Sequence, residues 1–508
     1  MTFTNISLTL YFLSDDLDAG QSRTQVINGQ YIVKDSVTIK KQLLNGLKPS
    51  SNQVTLQLEK SCSSIESIIK TDGDIKAVLK DGNTFVFTGY LSTNLSWTVT
   101  QNGQQALSVT IEDIGTRLLS KTFIDSGYHL FNCTAHNAIS AVCNKAGVYV
   151  SAEYFHIETQ ITKVVDSSAK CQDIITQILY ELGYVYYFDN LGELRVFKVD
   201  CTSTDNLPVY DKDSLYVVSD KAISLSKKIR TYKSARVEYT ALATVQDYLI
   251  YRNTTDSDDS HPYCNLELEG GQYFDGTEIY SDQEWQEETE DVFREDALIE
   301  ACNASSETDI IGSNNIVSVS DVRQDFTADD STVTSTITGA GGPYIKILAH
   351  NRDIDTHHIT KLDAYATVIY EKSTNIVRTD SIALTSDDSD TRLDETLEYV
   401  HTQAQAQNHA NLLGQYNRYC NSQYTFYSKQ LIALGSIIKL HDNIFSGLKV
   451  NVMVIASSQS DSTDIVTYTA IGISVFDLTE KMYGTEKKTK EISPLRKAQE
   501  ENRHMRLQ

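Results

Sequence analysis

The sequence predicts a mainly β protein with α+β parts, and three observations carry that prediction. Thr, Ser, Val, Ile and 29 tyrosines are abundant while only 5 prolines occur, a composition that favours strands. Short alternating segments separated by turn sequences fill the first 120 residues. Between residues 136 and 183 the apolar period changes from two to that of a helix. At 508 residues the chain exceeds one ordinary domain, so three or four units are expected.

Ile6–Phe12 (ISLTLYF) alternates and stops at Ser14-Asp15-Asp16, and Val54–Leu58 (VTLQL) alternates likewise. Ile75–Leu79, the tight-turn sequence Asp81-Gly82-Asn83 and Phe85–Tyr90 (FVFTGY) form a hairpin by turn chemistry as well as by pattern. Gly89 inside its second strand suggests a bulge or a bend. Leu95–Thr100, the Asn102-Gly103 turn and Leu107–Ile111 form a second hairpin, and a meander of this kind suggests a small barrel or sandwich.

After Asp113 the pattern is helical. His136–Gly147 places Ile139, Val142, Cys143 and Ala146 on one face, with Gly147 as a stop. Ser168–Gly183 is the clearest helix: Cys171, Ile174, Ile175, Ile178, Leu179 and Leu182 form its apolar face, Ser168 is the expected N-cap and Gly183 the terminator. Tyr184–Phe188, the turn Asp189-Asn190-Leu191-Gly192 and Glu193–Val199 make another hairpin, so a compact α+β unit is expected over 121–200.

Strand patterns resume at Ala222–Leu225 and Ala235–Tyr239. Tyr251–Ile310 differs in kind, with 18 Asp and Glu against Arg252 and Arg294 alone. It reads either as an insertion projecting from the body, with a short helix through Glu284–Cys302, or as a partly disordered loop. Strands return from Val333, at Tyr344–Leu348 and Ala364–Tyr370. A helix over Leu397–Cys420 has Ala406, Ala410, Leu413 and Tyr416–Asn417 along one face. Gln423–Tyr427, Gly435–Leu440, Lys449–Ala456 and Asp464–Gly472 follow, the last two joined by the polar loop Ser457–Thr463. Lys481–Gln508 has little to bury and reads as a tail, or as a helix that orders against a partner.

Lys and Arg number 44 against 68 Asp and Glu, a net charge of −24. That balance argues against a protein whose main task is gripping nucleic-acid phosphates, and against adsorption to an anionic membrane. The longest apolar run, Val452–Ala456, is far short of a membrane span, and Met1–Asn5 lacks a basic secretory n-region. Eight cysteines are scattered without a CxxC pair; Cys143 and Cys171 fall on apolar helix faces and read as small buried hydrophobes. A reducing cytoplasm is the expected compartment of synthesis.

No GxxxxGK[ST], HExxH or GxSxG motif occurs, so no catalytic residue, cofactor or metal is assigned. Gly339-Ala340-Gly341-Gly342-Pro343 is glycine-rich, but Pro343 removes a donor that a phosphate cradle needs, and it reads as a loop. Asp353, Asp355, His357 and His358 are near enough in sequence to supply metal ligands, but two adjacent histidines point apart in a strand, so a polar loop is the preferred reading. Asp256, Asp258 and Asp259 lack the spaced carboxylates and terminal Glu of a calcium loop and read as solvated charge.

The order of these elements resembles the baseplate or tail-tip hub proteins of bacteriophages and of related contractile injection systems. The resemblance rests on SVTIEDIGTRLLSK (Ser108–Lys121), the HNAISAVCNKAGV helix, and AKCQDIITQILYELGYVYYFDNLGELRVF (Ala169–Phe197). It continues in the closing segment: Leu434-Gly435, Ile437, Leu440, Gly447, Val450, Val454-Ile455, Tyr468-Thr469 and Gly472. It covers residues 1–240 and roughly 395–476. It implies a tube-like β-barrel over 1–120, an α+β domain over 121–215 and the start of a second barrel at 216–250. An acidic insertion over 251–335, the rest of the second barrel with one helix over 336–478 and a charged tail over 479–508 complete the expected organisation.

The same resemblance implies a late structural protein of the virion tail, made in the host cytoplasm and acting as a homotrimer. Three chains with two barrels each would form a pseudo-sixfold ring, matching a hexameric tail tube or distal tail ring above and a threefold tip, spike or fibre below. Tape measure protein and DNA would pass through the lumen. Acidic charge lining that lumen would repel DNA phosphates, and the same charge outside would keep the ring soluble. Three rival readings stand beside this one: a tail-tip receptor binder using Tyr-rich loops and the 251–310 insertion, the hub of a chromosomal injection particle, and a cell-wall hydrolase, for which no motif is present.

Overall fold

The computed structural model describes residues 5–13, 23–45, 47–100, 103–124, 129–150, 156–165, 168–199, 207–211, 213–215, 223–227, 234–254, 258, 260, 264–285, 299–301, 315–379, 392–419, 422–442 and 448–473. The fold is mainly β with α+β parts, as the composition predicts.

The first unit comprises β1 (Ile6–Phe12), β2 (Thr24–Asn28), β3 (Thr38–Gln42), β4 (Gln53–Glu59), α1 (Ser64–Lys70), β5 (Ile75–Asp81), β6 (Thr84–Leu91), β7 (Ser96–Val99) and β8 (Gln105–Glu112). Period-two alternation does the sorting: β4 buries Val54, Leu56 and Leu58 and leaves the intervening residues half-exposed. Leu8, Leu10, Leu79, Leu107 and Val109 join them in one core. Gly82 turns the β5–β6 hairpin with φ +58°. The bulge in that hairpin lies at Val86, where Leu79 pairs Phe87 but Lys80 pairs Phe85. Gly89 has a different role. A Cβ there would sit 1.9 Å from the Glu112 carbonyl oxygen, so the glycine lets β6 and β8 approach.

The α+β unit comprises β9 (His129–Thr134), α2 (Ala135–Lys145), β10 (Gln160–Val165), α3 (Cys171–Leu182), β11 (Tyr184–Phe188) and β12 (Leu194–Lys198). Thr134 caps α2 by accepting from Asn137 N, and Gly147 (φ +69°) follows its last turn. Gly183 (φ +78°) ends α3 in the left-handed conformation. Ser168 is not the N-cap: α3 starts at Cys171, and Cys171 N donates to the Thr122 carbonyl, so an upstream segment takes the place of a side-chain cap. Cys143 and Cys171 are fully buried between the helices, and burial pushes the Cys143 thiol up to about 12. The β11–β12 hairpin pairs with no other strand among the described residues; it covers the helices as a separate ribbon.

The rest of the chain supplies β13 (Ile223–Lys227), β14 (Ser234–Arg252), β15 (Leu266–Leu268), β16 (Ile316–Ala328), β17 (Val333–Gly341), β18 (Tyr344–Asn351), β19 (His357–Arg378) and β20 (Arg392–Thr396). After helix α4 (Gln403–Tyr419) come β21 (Ser422–Ser428), β22 (Ile437–Asp442), β23 (Leu448–Ser460) and β24 (Val466–Gly472). Ala406, Ala410 and Leu413 of α4 are buried, as their spacing predicts, but the helix begins at Gln403 rather than Leu397. Strands β14 and β19 form a long antiparallel ribbon from Arg236–Arg378 to Arg252–Asp363. The described part of the acidic stretch is folded on this ribbon. Leu266 and Leu268 share a core with Ile345 and Ile347 of β18 and with Leu362 and Val368 of β19, so that unit continues past residue 335. Of the helix expected over Glu284–Cys302, residues 284–285 close a helical turn begun at 282 and Ile299–Glu300 is a short strand; 286–298, 302 and the tail from 479 lie outside the described residues.

Two distant parts of the chain make one sheet. It has fourteen strands: eleven follow the path β13-β21-β24-β23-β3-β4-β8-β6-β5-β1-β2, and β7, β22 and the short strand Val209–Tyr210 are attached beside it. The joint is the β3–β23 pair, Thr38 opposite Ser460 through Gln42 opposite Ala456. Val37 N donates to Asp461 Oδ1 at the same place, across 424 positions of sequence.

Candidate functional site: sheet ends, domain junction and insertion tip

The ends of the fourteen-stranded sheet are β2 and β13, and among the described residues each pairs with one strand only. Val26 on β2 is 59% exposed and Leu225 on β13 is 54% exposed. Trp97 and Val99 of β7 are exposed as well. Open strand edges carrying apolar side chains are templates for pairing with another chain.

A second constellation lies where α3 meets the strap between β20 and α4. Glu181 is 1% exposed, and its carboxylate accepts from the backbone N–H groups of Glu398, Tyr399 and Val400 at 2.8–3.0 Å and from Gln177 Nε2 at 2.8 Å. Burial raises Glu181 from its ordinary value against the opposing pull of those donors. Tyr399 packs into the α+β core. Beside it, Tyr180 donates to Glu395, and His409 Nε2 lies 3.2 Å from Glu395 Oε2. His401, next along the strap, touches two backbone carbonyls.

The third lies where the β16–β17 turn meets the β18–β19 turn. His357 lies between two carboxylates, Nε2 3.3 Å from Asp353 Oδ2 and Nδ1 3.3 Å from Asp329 Oδ1. Asp330, Asp353 and His357 each place one ligand-type atom within 4.8 Å of the others. The Asp353 hydrogen bond, and then the charges of Asp329 and Asp330, raise His357 above its ordinary value. Asp353 is lowered by the Ile354 N–H it accepts and by His357. Of the four residues singled out in the sequence, Asp353 and His357 meet here. His358 extends its backbone N–H to Asp329, and Asp355 offers its carbonyl to Asn351.

Gly341 (φ +96°) and Gly342 (φ +56°) turn the β17–β18 hairpin. The carbonyls of Gly342 and Pro343 accept from Val319 N and Ala301 N, so this loop presents acceptors to its neighbours, opposite to the donors of a phosphate cradle. Asp258 accepts from Ser260 N, while Asp256 and Asp259 lie outside the described residues. Sequence reasoning missed Glu181, Glu395, His401 and His409. For Glu181 a signal existed: it follows Ile174 and Ile178 at helical spacing, a carboxylate on an apolar face. The others are placed by tertiary contacts alone.

Among the described residues, then, the two sheet ends each have one partner strand, and the domain junction is tightly hydrogen-bonded. No described helix is long and apolar enough to cross a membrane. The chain is similar in fold to solved tail proteins. One is the prophage MuSo2 43 kDa tail protein from Shewanella oneidensis, with TM-score 0.46 and 11% identity, covering 92% of this chain and 98% of that one. A tail protein from Neisseria meningitidis MC58 gives TM-score 0.45 and 7% identity over 92% and 97% of the two chains. Prophage tail protein gp18 from Listeria monocytogenes EGD-e gives 0.43 and 8% over 92% and 94%. No family model and no curated protein matches the sequence.

Proposed function

We propose that this chain is a structural tail hub, a homotrimeric adaptor that joins a hexameric tail tube or distal ring to a threefold tip, spike or fibre. The reading assigns it no reaction and no cofactor. Its place is the virion tail, and its lumen would pass the tape measure protein and DNA. The observation that carries the reading is the single sheet built from the two halves of the chain, open at β2 and at β13 among the described residues. Head-to-tail pairing of β2 in one copy with β13 in the next continues the sheet from chain to chain, covers Val26 and Leu225, and closes after a fixed rotation. Two β units per chain then give six around a threefold axis. The family resemblance of the sequence supports the same count. The hub of a chromosomal injection particle would have the same construction.

Light scattering coupled to size exclusion, at low and at physiological salt, tests the proposal. A mass of three protomers is expected, falling to one in Val26→Lys and in Leu225→Lys. A strictly monomeric wild-type chain at high concentration, with no assembly on a tail tube or its distal ring, would overturn it.

One observation favours the receptor-binding alternative. On the insertion, His350, Tyr273 and Trp285 form a continuous stack, with ring centroids 3.9 and 4.9 Å apart and planes within 7°. Tyr and Trp of this kind are enriched at interfaces. Binding to host surface glycans that disappears in Trp285→Ala would move weight to that reading.

A further inference from the structure

His401 Nδ1 lies 2.9 Å from the carbonyl oxygen of Thr240, and its Nε2 lies 2.7 Å from the carbonyl oxygen of Thr162. Both neighbours are acceptors and neither can donate. A neutral imidazole has one N–H and one lone pair, so it can satisfy one carbonyl and must face the other lone pair to lone pair. Only the imidazolium donates at both ends.

The two carbonyls belong to different units. Thr162 is on β10 of the α+β unit, and Thr240 is on β14, which runs into the insertion. The ring between them cannot withdraw freely. Glu181 holds the three N–H groups of residues 398–400, and on the other side Thr402 Oγ1 accepts from Gln405 N at the start of α4. A cleft of 390 Å³ beside the ring, lined by Thr162, Lys163, Thr240, Glu371, Glu398 and His401, lets protons reach it. The charged and titratable residues that line the cleft with His401 are Lys163 on β10, paired with Glu398 at 3.7 Å, Glu371 on β19, which accepts from Asn315, and Tyr344 on β18. The carboxylates outnumber the cation.

We infer that His401 is a proton-gated clamp: as imidazolium it ties β10 to β14, and loss of one proton releases one of the two. The clamped state binds the proton and the released state does not require it. Clamping is therefore complete where the ring carries both protons and is lost where it carries one. The inference concerns a junction within one chain and holds whether or not the chain acts as a tail hub.

Hydrogen exchange of the full-length chain, corrected for intrinsic rates and compared at about pH 5.5 and about pH 8.5, reads the clamp directly. Peptides covering 160–165 and 234–245 are expected to exchange about tenfold more slowly at the lower pH, and His401→Gln is expected to abolish that difference. Equal protection of the wild-type peptides at both pH values overturns the clamp, as does a difference that survives in His401→Gln. A labelling experiment on the wild-type chain needs no variant. Diethyl pyrocarbonate attacks a ring nitrogen with a free lone pair, so His401, donating at both nitrogens, should resist while the exposed His156 reacts. Labelling of His401 at the same rate as His156 would refute the proposal.

Discussion

The Tyr180 hydroxyl lies 2.6 and 2.8 Å from the two carboxylate oxygens of Glu395, joining α3 to β20 across 215 positions of sequence. His409, fully buried, approaches the same carboxylate and meets the Tyr180 ring edge-on at 4.9 Å between centroids. Burial pushes Glu395 up, but the hydrogen bonds with His409 and Tyr180 outweigh it and hold the carboxyl below its ordinary value. Burial and then Glu395 itself raise Tyr180, which keeps it a donor.

Tyr180→Phe should cost about 1.5–3 kcal/mol, the range for a hydrogen bond to a charged group. The sign of the pH effect follows from Glu395. A lowered folded value contributes stability above the ordinary glutamate range that is lost as pH falls through the folded value. Urea midpoints of the wild type should therefore drop toward those of Glu395→Gln on acidification. Parallel curves for the two proteins would contradict this.

Glu181→Ala would leave three N–H groups of the strap without their acceptor and open a void beside Tyr399. A loss of about 3–5 kcal/mol is expected. Glu181→Gln keeps one acceptor oxygen and should lose less. Denaturant unfolding measures both, and an Ala variant as stable as the Gln variant would show that the strap does not depend on this carboxylate.

Gly89→Ala drives a Cβ into the Glu112 backbone carbonyl, with no flexible side chain to move aside. Overpacking at a strand crossing should cost about 2–4 kcal/mol and expose the β6–β8 edge. Calorimetry of the variant checks the loss, and hydrogen exchange at 105–112 locates it.

In the β18–β19 turn, Asp353→Asn removes the largest influence raising His357. The titration midpoint of His357, followed by NMR, should fall in the variant. A histidine raised in the fold contributes stability that is complete below its unfolded value and lost as pH rises through the folded one, so the variant should lose that alkaline sensitivity. An unchanged midpoint would mean that Asp329 and Asp330 hold the imidazolium by themselves.

What the sequence could reveal lay within short reach. The β5–β6 hairpin follows from Asp81-Gly82-Asn83, because a glycine at φ +58° is cheap there and strand alternation flanks it. The buried faces of α2, α3 and α4 follow from spacing, since residues three and four apart share a helix side whatever lies opposite. Even the misplaced N-cap is instructive. Ser168 has the right chemistry, but the Thr122 carbonyl, 49 positions upstream, already satisfies the first donor of α3.

Partner choice between distant strands lay beyond that reach. Nothing in Thr38–Gln42 distinguishes β23 from any other alternating strand, because every such edge offers the same row of donors and acceptors. The same holds for His401, whose two carbonyl contacts come from residues 161 and 239 positions away. Local chemistry set the elements, whereas the single sheet, its open ends and the bonded junction arise from contacts that exist only once the whole chain has folded.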